Sequence, residues 1–139
     1  IVSFLTTHVW PGITITPVLD GHSILPQAQS PGVREVVQGW ITGLDAFEIA
    51  GLERATLAGK SLIAAARFIV EWSEGSVGKG ELNQGNKFGV EEASVATSLE
   101  VDWQTGQWGE VEDTHDVNKE DVRRQMGSVA LLVSGVRKA

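Results

Sequence analysis

An α+β fold with a mainly antiparallel sheet is predicted by three features of the chain. Val95, Thr97, Leu99 and Val101 alternate with Ala96, Ser98, Glu100 and Asp102, the period of a half-buried strand. Gln104-Thr105-Gly106 follows directly, and glycine supplies the positive φ that a tight hairpin needs. A single stretch, about 45–66, carries helix signals instead. The chain of 139 residues is read as a single domain, 1–139, with a possible junction in 73–89.

Val2 to Val9 reads as a first strand, stopped by Trp10-Pro11-Gly12, where proline removes a donor and glycine permits a turn. Ile13, Ile15 and Val18 form a second extended piece that ends at Asp20-Gly21. From His22 to Gly32, prolines and glycines among Gln and Ser mark a surface loop. Val33 to Ile41 is a candidate strand with Val36, Val37, Trp40 and Ile41 as its apolar content.

Asp45 opens the principal helix, with Glu48 at the capping-box spacing. Phe47, Ala50, Leu57 and the Leu62-Ile63-Ala66 cluster supply its apolar face. Gly51 and Gly59 each weaken it, which permits a break near Gly59 within a helix otherwise read as continuous to Ala66. After Ala66 the period changes: Phe68, Val70 and Trp72 alternate with Arg67, Ile69 and Glu71, as in a strand. Residues 73–89 are polar and glycine-rich, a loop or junction. The hairpin near residue 106 follows, with Trp103 and Trp108 flanking the turn and covering one face. Asn118 or Asp121 could cap a short helix through Met126, and Val129 to Val136 suits a buried strand or more helix.

The formal charge of −7 argues against a nucleic-acid partner. No run reaches the length and apolarity of a membrane span. Zero cysteines exclude a disulfide scaffold and a thiolate metal site, and fit a reducing, cytoplasmic setting. His8, His22 and His115 lie far apart, without metal-ligand spacing, so no metal site is expected. No serine sits in a Gly-x-Ser-x-Gly elbow. Gly75, Gly78, Gly80 and Gly85 lack the lysine-serine ending of a phosphate loop. The acidic run from Glu110 to Asp121 lacks a regular calcium-loop pattern and reads as a solvated face.

Three stretches resemble the molybdenum-cofactor subunit of the xanthine dehydrogenase and aldehyde oxidase family. Val2-Ser3-Phe4-Leu5-Thr6 through Trp10-Pro11-Gly12-Ile13, then Pro17-Val18-Leu19-Asp20 and Ile24-Leu25, is similar to the opening of its α/β hammerhead domain. Ala64 to Glu74 resembles the close of that domain. Phe88-Gly89 through Glu100-Val101-Asp102 and Thr105-Gly106 to His115-Asp116-Val117 resembles part of the cofactor-binding domain, loosely continued by Val122, Gln125, Met126 and Gly127.

The resemblance implies a fragment or split subunit of a molybdopterin-dependent hydroxylase, inactive alone and dependent on a partner polypeptide. Such an oxidoreductase hydroxylates a heteroaromatic or aldehyde carbon with water-derived oxygen. By the same resemblance Gln125 would contact the pterin of molybdopterin, and no residue matches the family's catalytic base. Two other readings stand beside it, and whether the chain is an enzyme stays open. One is a non-enzymatic, homo-oligomeric assembly protein, such as a small phage tail or head-completion component. The other is a small ligand-binding α+β domain.

Overall fold

The computed structural model describes residues 1–18, 25, 27–82, 85–108 and 112–135, with the backbone alone at 100–108 and 112–116. The described residues contain helices and no strand, so the antiparallel sheet and the α+β class are not what the chain forms. It divides into two compact units, Ile1–Leu44 and Asp45–Ala139.

The first unit holds α1 (Val2–His8) and α2 (Val33–Thr42), both in stretches predicted as strands. Helix α1 buries Leu5. Gly12 and Gly32 take positive φ, 88° and 92°, the second of them at the N-cap of α2. Trp10 is fully buried and meets Trp40 edge-on, ring centroids 5.5 Å apart, a favoured aromatic geometry. The piece from Ile13 to Val18 is neither helix nor strand, and pairs with no strand among the described residues. Instead the Gln29 side-chain amide accepts from the Thr16 N–H and donates to the Thr16 carbonyl.

The second unit is a helical body of α3 (Ala46–Gly59), α4 (Leu62–Trp72), α5 (Val90–Trp108) and α6 (Glu112–Ser134), with a short 3₁₀ turn at Gly80–Leu82. The capping box at the start of α3 is present: Asp45 Oδ1 accepts from the Glu48 N–H at 2.8 Å and Glu48 Oε2 accepts from the Asp45 N–H at 3.0 Å. The predicted helix over 45–66 is broken after Gly59, where Lys60 turns into the left-handed region. Ser61 then caps α4 by accepting from the Ala64 N–H.

Helix α4 is the core of this body. Ala64, Ala65, Ala66, Phe68, Ile69 and Val70 are all buried, so the alternation from Arg67 to Trp72 does not divide an inner face from an outer one. A helix apolar on every side is a buried helix. The charged members of that run satisfy each other: Arg67 Nη1 donates to Glu71 Oε2 at 2.7 Å, one turn apart. Glu71 Oε1 also accepts from the Phe88 N–H, the Arg67 guanidinium lies 4.9 Å from the Phe88 ring centre, and Trp72 Nε1 donates to the Phe88 carbonyl. Phe88, just before α5, is thereby fastened to α4.

The predicted hairpin lies entirely inside α5, with Gln104, Thr105 and Gly106 in its last turns. The alternation there has another origin. Ala93 is fully buried, whereas Val95 and Leu99 are 51% and 64% exposed. The apolar residues that suggested a strand therefore lie largely on the outside of a helix. Gly51 and Gly59, read as weak points, are close-approach positions. A Cβ on Gly51 would stand 2.7 Å from Val133 Cγ1 of α6, and one on Gly59 2.6 Å from Thr97 Cγ2 of α5. With buried Ala55 between them, they let both partner helices approach α3.

Candidate functional site

Sequence Gly59-Lys60-Ser61 ends one helix and caps the next within three residues. This corner, the exposed side of α5 and the first half of α6 enclose an open cleft of about 490 Å³. Leu57, Gly59, Lys60 and Ser61 form one wall, Ser94 and Thr97 to Leu99 the second, and Asn118, Lys119, Asp121, Val122 and Gln125 the third. The rim is apolar at Leu57 and Leu99, 71% and 64% exposed. Inside are short hydroxyls and amides that can bond a peptide backbone or side chain.

Charges on and beside the third wall are paired within α6 or with α5. Asp121 accepts from Arg124 at 2.8 Å and from Gln125 Nε2 at 2.7 Å. These bonds, Arg124 first, hold its carboxyl below the ordinary value of 3.8. Arg123 is shared between Glu91 of α5 and Glu120 of α6, which pushes its pKa up. That bridge ties α5 to α6 at the solvent-exposed surface, where such pairs contribute little.

Gln125 was expected to contact a pterin. It does line this cleft, and it donates its amide to Asp121. His8 ends α1 beside the Phe4 ring, His22 lies outside the described residues, and His115 falls within α6. Among the described residues no cluster of three or more His, Cys, Asp or Glu is placed to hold a metal ion. No described helix is long and apolar enough to cross a membrane. Leu57, Leu99 and Lys60 were not singled out as site residues from the sequence. Leu57 and Leu99 read as inward-facing, and only their exposure in the folded body shows otherwise.

No family model and no solved structure matches the chain. It is similar to the protein atp12, mitochondrial, of Schizosaccharomyces pombe, 30% identical over 115 residues, 82% of this chain and 34% of that protein. It is also similar to the protein ATP12, mitochondrial, of Saccharomyces cerevisiae, 31% identical over 112 residues, 81% of this chain and 33% of that protein. The chain thus spans about a third of the length of these curated relatives.

These similarities overturn the resemblance to molybdenum hydroxylases, which rested on scattered short motifs and an α/β reading of stretches that fold as helices. The oxidoreductase function, the hammerhead-like label and the molybdopterin cofactor go with it. The phage-component reading is likewise unsupported, and nothing shows a small ligand-binding domain. The relatives are mitochondrial proteins, so the cytoplasmic expectation is not carried forward.

Proposed function

We propose that this chain is the polypeptide-binding segment of an assembly chaperone of the ATP12 type, one that holds a subunit of the mitochondrial F1-ATPase before assembly. The role is non-catalytic and the compartment mitochondrial. The observation that carries the reading is similarity over four-fifths of the chain to two proteins of one name. The cleft supports it. Leu57 and Leu99 leave apolar surface in water beside Ser, Asn and Gln donors and acceptors, which suits a reversible grip on an unassembled chain. On this reading Gln125, which lines the cleft, contacts that chain rather than a cofactor.

Calorimetric titration of the purified chain with each isolated subunit of a mitochondrial F1-ATPase tests this. One subunit is expected to bind, and Leu57→Asp with Leu99→Asp is expected to weaken it by more than tenfold, as loss of a central apolar anchor does. Both positions are exposed, so the double variant should keep its helical circular dichroism. Failure of every subunit to bind the native chain would refute the proposal.

A further inference from the structure

Lys60 is the only non-glycine residue with positive φ among the described residues, at φ 55° and ψ 29°. The other positive-φ positions, Gly12 and Gly32, carry the residue that adopts this conformation without strain. A lysine here keeps a backbone strain that glycine would relieve, and strain of this kind concentrates at functional sites.

Its surroundings indicate what the ammonium is for. Lys60 is exposed on the cleft wall and makes no ion pair among the described residues. Across the cleft, the carboxylate of Asp121 is engaged by Arg124 and Gln125. Lys119, the other lysine of the lining, is not free either, and Arg123, beside the cleft, is engaged by Glu91 and Glu120. Among the described residues the cleft therefore offers an unpaired cation beside two exposed leucines, within a chain whose net charge is −7. That chain charge disfavours an anionic membrane as the occupant. A polypeptide with a local carboxylate is favoured, because it meets the cation at short range while its apolar neighbour covers the leucines.

We infer that Lys60 is a specificity-determining residue of the cleft, and that the partner segment it receives carries an aspartate or glutamate adjacent to a large apolar side chain. The inference rests on the polypeptide-binding reading above and deepens it.

The test uses the native chain and three variants, Lys60→Arg, Lys60→Gly and Lys60→Glu. Each is titrated with the isolated F1-ATPase subunits, with overlapping peptides covering the subunit that binds, and with vesicles of phosphatidylcholine and cardiolipin. Lys60→Arg should bind within about twofold of native, Lys60→Gly about three- to tenfold more weakly, and Lys60→Glu weaker still, the range of a partly exposed charge contact. Lys60→Gly should also melt at a higher temperature than native, a gain that a purely structural lysine would not combine with lost affinity. The binding peptides should share a carboxylate next to Leu, Ile, Phe or Met. Replacing that carboxylate by alanine should weaken the native chain but not Lys60→Gly.

Native-like binding by Lys60→Glu, with Leu57→Asp and Leu99→Asp still disruptive, would overturn the role of Lys60 and leave the chaperone reading intact. Binding to the vesicles but to no subunit would overturn both.

Discussion

Arg67→Met is expected to cost the helical body about 3–5 kcal/mol, the penalty for removing one partner of a buried ion pair. The side chains of Arg67 and Glu71 are 5% and 1% exposed, and the pair is joined at 2.7 Å. Methionine refills most of the arginine stem, so little of the loss should come from a cavity. The loss comes from Glu71, left inside α4 without the guanidinium. The size of the effect is checked by removing the carboxylate as well. In Arg67→Met/Glu71→Leu no buried charge is stranded, and the Phe88 N–H that donates to Glu71 Oε1 loses its acceptor, at about 1–3 kcal/mol. The double variant should therefore be more stable than the single one. Urea unfolding followed by far-ultraviolet circular dichroism gives both differences, and the single variant should melt about 12 °C or more below native for a body of this size. A double variant as unstable as the single one would refute the reasoning. So would a single variant within about 1 kcal/mol of native, since that is the behaviour of an exposed pair.

Three further outcomes are expected. Asp45→Ala removes the acceptor for the Glu48 N–H and should cost about 1 kcal/mol in chemical denaturation; no loss would mean that α3 is not held by its capping box. Gly106→Ala lies inside α5 and should stabilise the chain by about 0.5–1 kcal/mol; a lower melting temperature would indicate a turn there. The Asp121 carboxyl is held below 3.8 by Arg124 and Gln125, so this bonding favours the folded state at neutral pH and is lost as pH falls through the depressed value. Carbon-detected titration of Arg124→Ala should show its midpoint rising towards 3.8, and an unmoved midpoint would contradict the assignment.

Local signals with a direct backbone mechanism were legible in the sequence. Asp45 and Glu48 form the capping box that their spacing announces, whereas the helix read as running to Ala66 ends at Gly59, where the sequence only permitted a break. The β-branched and alternating stretches misled because periodicity reports burial only when one face is buried. In α4 almost every face is buried, and Arg67 and Glu71 enter the core as a mutually satisfied pair. In α5 the opposite holds: Val95 and Leu99 are exposed, and Ala93 and Ser94 pack inward. A helix carrying apolar residues outward has a sequence pattern that reads as a core. The cleft was hidden for the same reason. Leu57 looked like core, and the left-handed turn at Lys60 leaves no mark in composition or spacing.

Amide hydrogen exchange of the chain, alone and with an isolated F1-ATPase subunit, tests the central claim most directly. Slowed exchange is predicted at 57–61, 94–99 and 118–125, the three walls of the cleft, with Asp45 to Glu48 unchanged. Binding that leaves those three segments unprotected, or no protection anywhere with the subunit in excess, would contradict it.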